Sequence, residues 1–170
     1  MVVRQQTVRS GIDEWLATTA AVLALLLVAG NLIGTVRVGW TAVKGPDELD
    51  NSLALFTALG GAVMTFALVY GAYHELRRDE TGRHVLFLAA VVQLGLGALG
   101  VLAAVTSYDS GYGIRWFAEG SAPHAVLDAL TGLPGAVTAI VHDNLAGALT
   151  ALVLGGLLLI PLLRVAPGQE

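Results

Sequence analysis

The chain has 170 residues, of which 55% are hydrophobic and 13% are charged, and its formal net charge is −4. A soluble domain carries about 25% charged residues, so this composition excludes an ordinary soluble enzyme and favours an integral membrane protein. The chain has no cysteine, which excludes disulfides, thiolate metal sites and iron–sulfur clusters. No run of basic residues predicts nucleic-acid binding.

Four apolar blocks predict an all-α fold, in which a four-helix bundle spans the membrane as a single domain over residues 1–170. Each block can cross the hydrocarbon core, because about 30 Å of hydrocarbon needs about 20 helical residues. The runs are continuous and do not alternate with period two, which excludes barrel strands. The first block is longer than the apolar core of a signal peptide and lacks a cleavage site, so we expect it to be retained. The predicted spanning helices cover approximately residues 15–38, 51–73, 85–106 and 141–163.

The cations that flank these helices predict the topology. Those on one side are Arg4, Arg9, Arg77, Arg78, Arg83 and Arg164. Those on the other side are Arg37, Lys44 and Arg115. The positive-inside rule then puts the N-terminus and the C-terminus in the cytoplasm of a multi-pass protein of the cell membrane.

The long connection over residues 107–140 predicts a short amphipathic outer helix between helices three and four. Ser121 followed by Pro123 is typical of a helix start. We expect Gly132 and Pro134 to end this helix. It would lie on the outer surface of the bundle or dip into it, and a plain surface lid is the alternative. Its apolar face would hold Val126, Leu127 and Leu130.

The starts of helices two and four share a pattern. Residues 50–59 read DNSLALFTAL and residues 143–152 read DNLAGALTAL, so Asp, Asn, Thr, Ala and Leu recur at the same offsets. The pattern indicates a possible 2+2 internal repeat, with chance similarity in a biased composition as the alternative.

Histidines and intramembrane polar residues are the candidates for chemistry. His142 stands at the outer edge of the fourth helix, where an imidazole can bind haem iron from one axial side, and a hydrogen-bonded interfacial histidine is the alternative. Asn31, Arg37 and Gln93 lie within spanning helices, where polar groups are functional candidates by default. The alternative for these three is interhelical hydrogen bonding. His124 on the short helix leaves both a surface role and a site role open.

Four segments, in chain order, resemble motifs of the haem A synthase family. Residues 34–39 read GTVRVG, which is similar to the family's GxxVRxTG with one residue fewer. Residues 48–51 read ELDN, at the place of the family's ExxH. Residues 92–102 read VQLGLGALGVL, which is similar to LQxxLGxxxVL, and residues 142–146 read HDNLA, which is similar to the ligand motif HxxxA.

The resemblance implies a half-size, four-helix member of this family that binds or modifies haem for a terminal oxidase. His142 would be the axial ligand of the haem iron, Glu48 the catalytic carboxylate near the haem edge, and Arg37 a partner of a propionate. Such a half-size chain would form a homodimer or join a larger membrane complex. Asn51 stands where the family has its second histidine, and asparagine is a poor ligand for haem iron.

That departure leaves a second function open. The chain would then be a non-catalytic accessory subunit or assembly factor of a respiratory membrane complex, and it would bind no haem. A small transporter is disfavoured, because no spanning helix shows a mid-membrane break in its sequence.

Overall fold

In this computed structural model, all regular structure within the described residues is α-helical. The structure describes residues 2–44, 51–108 and 122–163, with side chains from 14–43, 52–108 and 122–163. In chain order the helices are α1 (Val2–Lys44), α2 (Asn51–Leu76), α3 (Glu80–Thr106), α4 (Ala122–Ala129), α5 (Leu133–Val141) and α6 (Leu145–Leu163).

Helices α1, α2, α3 and α6 are long and apolar enough to cross a membrane, which confirms the predicted four-helix membrane bundle. Trp15 and Trp40 are both exposed on α1 and stand about 38 Å apart along its axis at 1.5 Å per residue. Tryptophan is enriched at both membrane–water interfaces, and this spacing approaches the thickness of a bilayer with its interfacial regions. We therefore call the two ends of the bundle the Trp15 end and the Trp40 end.

Several spanning helices are longer than predicted. α1 is continuous over Val2–Lys44, whereas the prediction covered residues 15–38. α3 begins at Glu80 and not near residue 85, because the Asp79 carboxylate accepts a hydrogen bond from the Thr81 N–H at 3.0 Å and caps the helix.

The predicted short helix between α3 and the last spanning helix is present as α4, and a second short helix, α5, follows it. α4 ends at Ala129, and Pro134 lies in the first turn of α5 and does not end the preceding helix. Proline suits a first turn because its missing N–H has no partner there in any helix. Gly132, with a φ of 71°, reverses the chain between the two helices.

The turn between α4 and α5 lies deep in the bundle. Gly30 and Gly34 of α1 lie against the backbone and side chain of residues 130–131, and Gly60 and Gly61 of α2 lie against Leu133 and Pro134. On α1, Gly30 is about 4 Å along the axis from the midpoint between Trp15 and Trp40. The segment Ala122–Val141 is therefore a re-entrant hairpin that enters from the Trp40 end, reverses near mid-membrane and returns. The sequence had predicted no helix break at this depth.

The packing divides the bundle into two halves along its axis. The most extensive helix contacts join α1 to α2 and α3 to α6, whereas α5 contacts all four spanning helices. Toward the Trp40 end, Val137 and Val141 of α5 pack on Val38 and Ala54, so α5 supplies much of the core there. Toward the Trp15 end the spanning helices form the core themselves, with Ala20, Ala21, Ala24, Leu27, Met64, Leu68, Ala72, Leu86, Ala89, Ala90, Leu158 and Leu162.

Candidate functional site

The Trp40 half of the bundle holds two of the three residues that the sequence analysis assigned to a site. Arg37 lies on α1, about 14 Å from the midpoint between the two tryptophans. His142 lies at the return end of the re-entrant hairpin. Glu48, the predicted catalytic carboxylate, lies outside the described residues, and so does the side chain of Asn51. The role of Glu48 therefore stays a prediction.

The prediction of a helix over residues 141–163 implied that His142 lies at the start of the last spanning helix. In the structure it lies before that helix, which begins at Leu145. Its backbone N–H donates to the Thr138 carbonyl at 3.0 Å, which makes it the C-cap of α5. Asp143 follows with a φ of 55°, a left-handed conformation that breaks the helix. α6 then starts at Leu145, with the Asn144 side chain accepting from the Gly147 N–H at 3.1 Å. His142 thus lies in a turn between two helices.

Arg37 pairs with a carboxylate of the re-entrant hairpin. Its Nη1 donates to Oδ1 of Asp128 at 3.3 Å, and the Arg37 side chain is 49% exposed against 16% for Asp128. Asp128 was not predicted as a site residue. The signal in the sequence was that Asp128 is the one carboxylate of the short helix, and that a spanning helix carries Arg37, which needs a partner in the membrane.

His124 lies on the same short helix as Asp128, about one turn earlier, and Asp143 directly follows His142. We call Arg37, His124, Asp128, His142 and Asp143 the Trp40-end cluster.

Two atoms of this cluster are buried without a hydrogen-bond partner, namely Nε2 of His142 and Oδ1 of Asp143. Deeper in the bundle, Oγ1 of Thr35 and Nε2 of Gln93 are also buried without a hydrogen-bond partner. Buried polar atoms normally have a partner, because an unpaired one loses its hydration without compensation. At these four atoms, hydrogen bonding to water or to a ligand would be favourable.

Asn31 makes a hydrogen bond between two helices, which was the alternative interpretation of this residue. Its Oδ1 accepts a hydrogen bond from the Leu133 N–H at 3.0 Å, and its Nδ2 donates to the Leu27 carbonyl at 3.2 Å. The side chain, only 1% exposed, therefore joins α1 to the first N–H of α5. That N–H is one of the unpaired donors at a helix start, which hydrocarbon cannot satisfy.

The haem that the resemblance to haem A synthases implies, with His142 as axial ligand and Arg37 as propionate partner, would need space between the spanning helices in the Trp40 half. α5 fills that space, with Pro134, Ala136, Thr138 and Ala139 buried between α1, α2, α3 and α6. A porphyrin there would overlap α5, so the described residues do not fit a haem held between the spanning helices. Among the described side chains, no group of three or more His, Asp or Glu could hold a metal ion. Haem binding stays a prediction, and it requires the hairpin to move.

The histidines at the Trp15 end have local partners. Nδ1 of His74 lies 2.8 Å from the Asp79 carboxylate, and Nδ1 of His84 lies 2.7 Å from the Glu80 carbonyl. The Thr81 backbone N–H, and then the His74 side chain, lower the pKa of Asp79 to about 2. The contact of His74 with Asp79 joins the end of α2 to the residue that caps α3.

Comparison of the chain with protein-family models, with curated proteins and with solved structures gives no match. The likeness to haem A synthases therefore rests on the four short sequence segments alone.

Proposed function

We propose that the protein is a non-catalytic accessory subunit or assembly factor of a respiratory membrane complex. The observation that carries the proposal is the position of α5, which fills the Trp40 half of the bundle where a haem-binding relative would need a cofactor slot. A helix of the chain itself takes the place of the cofactor in the core. The respiratory context comes from the sequence resemblance.

In this proposal the Trp40 end faces away from the cytoplasm. The cations at the Trp15 end support this orientation, since Arg77 and Arg78 lie in the turn between α2 and α3 and Arg83 lies in the first turn of α3. Nη2 of Arg78 lies 3.1 Å from Oε1 of Glu14, the residue before Trp15. This ion pair shows that the cations lie at the Trp15 end of the bundle. The chain would act in the cell membrane as a homo-oligomer or as one subunit of a larger complex.

Haem binding is the second candidate function. The observation that favours it is the buried and unpartnered Nε2 of His142, the atom that would bind the iron. When bound, haem would supply redox chemistry at the Trp40 end. Arg37 would have to exchange Asp128 for a propionate, and the hairpin would have to leave the core.

The two candidates differ in the visible absorption spectrum of the detergent-purified protein. We expect the wild type to be colourless in its oxidised and dithionite-reduced forms, and to remain so after haem addition and removal of unbound haem. A sharp reduced Soret and alpha band that His142→Ala abolishes would overturn the proposal in favour of haem binding. His84→Ala is the matched control, since His84 lies at the opposite end of the bundle.

A deletion strain tests the accessory role directly. We expect loss of the assembled terminal oxidase, measured by native gel electrophoresis and oxygen consumption, and restoration by both the wild type and His142→Ala. An oxidase that assembles normally without the protein would contradict the accessory role. Restoration by the wild type but not by His142→Ala would favour the haem function, provided that His142→Ala accumulates to the same level in the membrane.

A further inference from the structure

Gln93 is the middle residue of α3 and stands about 20 Å from either end of that helix at 1.5 Å per residue. Its side chain is 4% exposed, and its Nε2 is one of the four buried polar atoms that have no hydrogen-bond partner among the described residues. An amide nitrogen carries two donors, and burying them unpaired is unfavourable. The amide of Gln93 can therefore bind a small hydrogen-bonding molecule inside the bundle.

The contacts of α3 place Gln93 beside the first turn of α5. Both helices run toward the Trp40 end, and a Cβ on Gly100 would lie 3.5 Å from Cγ1 of Ile140. Gln93 and Leu133 each come seven residues earlier, about 10 Å and two turns along their helices, so they lie on the same two faces. Leu133 packs against the core of the Trp15 half, to which Ala90 of α3 belongs. Gln93 therefore lies opposite Leu133, where the hairpin meets that core.

Two polar groups of α1 lie at the same turn of α5. The Asn31 amide accepts a hydrogen bond from the Leu133 N–H at 3.0 Å and so holds the turn directly. A Cβ on Gly61 would meet both Oγ1 of Thr35 and Cγ of Pro134, so the Thr35 hydroxyl also lies beside this turn. Polar side chains of α1 and α3 thus border the start of α5 on two sides.

Water suits the position of Gln93 better than a larger ligand does. α5 is packed against all four spanning helices, which excludes a planar or chain-like molecule from its first turn. Carbonyl oxygens at the hairpin tip can accept a second hydrogen bond, and the Gly132 carbonyl, which accepts from the Ala136 N–H at 2.9 Å, is one of them. Buried water typically makes about three hydrogen bonds to polar groups that are otherwise unpaired.

We propose that a bound water molecule joins the Gln93 amide of α3 to the first turn of α5 near the middle of the membrane. The water accepts from Nε2 of Gln93 and donates to backbone carbonyls of the hairpin tip. Gln93 then holds the hairpin from α3 through water, as Asn31 holds it from α1 directly. This proposal goes beyond the accessory role and does not depend on it, because it rests on the contacts of α1, α3 and α5 alone.

X-ray radiolysis of the detergent-purified protein, read out by mass spectrometry, tests the proposal. Hydroxyl radicals form from bound water in place and oxidise the side chains beside it. We expect oxidation of Leu133 in the wild type but not of Leu23, which is also partly buried and packs against the same core. Gln93→Met should abolish the oxidation of Leu133. Equal oxidation of the two leucines in the wild type, or undiminished oxidation in the variant, would refute the proposal.

The melting temperature gives a second test, in which the two interpretations of Gln93 differ in sign. If water pairs the amide, Gln93→Met removes an attachment of the hairpin and should lower the melting temperature by about 2–4 °C. If the amide is unpaired, the same substitution relieves a buried polar group, and an unchanged or higher melting temperature would overturn the proposal. Leu94→Met is the matched control, because it introduces the same side chain next to Gln93 and removes no donor, so its effect should be smaller.

Native mass spectrometry separates water from an organic occupant of the site. We expect no organic molecule to co-purify with the wild type at this position. A bound molecule that Gln93→Met releases would assign the site to that molecule, against the proposal. If Gln93→Met fails to fold, the contrast between Leu133 and Leu23 in the wild type still decides the outcome.

Discussion

Asn31 uses both ends of its amide to join two helices near the middle of the membrane. Its Oδ1 satisfies the Leu133 N–H, and its Nδ2 donates to its own helix at Leu27. Asn31→Ala leaves a buried N–H unpaired, so we expect the free energy of unfolding to fall by about 1–3 kcal/mol. Denaturation of the detergent-solubilised protein, followed by circular dichroism, measures the loss.

Thr65→Ala is the matched control for this prediction. The Thr65 hydroxyl bonds only the Gly61 carbonyl of its own helix, at 2.8 Å, so its loss should cost less than about 1 kcal/mol. Equal destabilisation by the two substitutions would mean that the hydrogen bond between α1 and α5 contributes little.

Asp79, in the turn between α2 and α3, gives the protein a pH dependence of definite sign. Its pKa is lowered to about 2, so its contribution to stability is present above 3.8 and is lost as the pH falls toward 2. Asp79→Asn should therefore be less stable than the wild type at neutral pH, and the difference should shrink as the medium is acidified. Melting temperatures of both proteins between pH 2 and pH 5 test this, and a difference that persists at the acid end would disprove it.

At the scale of an element, the re-entrant hairpin depends on close backbone contact between α4 and α5. A side chain at Gly135 would overlap the Asp128 carbonyl, because the two helices cross there without a gap. Gly135→Ala should separate them and lower the free energy of unfolding by about 1–3 kcal/mol.

Gly95→Ala is the counterpart on a spanning helix. A Cβ at Gly95 meets nothing within 4 Å, so alanine there should be neutral or should stabilise α3 by up to about 1 kcal/mol. The same denaturation measurement compares the two variants. If both glycines tolerate alanine equally, the contact between α4 and α5 is looser than described.

The spanning helices could be predicted because length and hydrophobicity are local properties of the sequence. The re-entrant hairpin could not be predicted in this way. Its helices have eight and nine residues and are too short to span the membrane, so the sequence of this segment indicated a short helix at the surface. Its depth is set by contacts such as Asn31 with Leu133, which are 102 residues apart and carry no local signal.

The candidate site was partly predictable for a related reason. A charged side chain in a spanning helix is energetically unfavourable and therefore suggests a function, so Arg37 was identified from the sequence. Its partner Asp128 was not. His142 was predicted to lie in the last spanning helix, and it lies before it. The helix break depends on the left-handed backbone conformation of Asp143, for which the sequence contains no recognisable signal.

At the scale of the whole molecule, the topology is testable because the chain lacks cysteine, so single cysteines can report sidedness. A membrane-impermeant maleimide on intact cells should label Tyr108→Cys at the Trp40 end, and should label Glu80→Cys only after permeabilisation. Thr131→Cys should resist labelling in both cases, since the tip of the hairpin lies at hydrocarbon depth. Labelling of Glu80→Cys in intact cells would reverse the orientation, and labelling of Thr131→Cys would reveal a water-filled entrance.

The depth of α5 also constrains how the protein is made. Its first N–H is satisfied by a residue of α1, and its faces are covered by four helices, the last of which is synthesised after it. A nine-residue helix has no means of entering lipid alone, because its open ends would face hydrocarbon. The four long helices must therefore be inserted first, and the hairpin must enter afterwards, which makes its seating a late step in biogenesis. A nascent chain stalled before α6 should expose α4 and α5 to proteases.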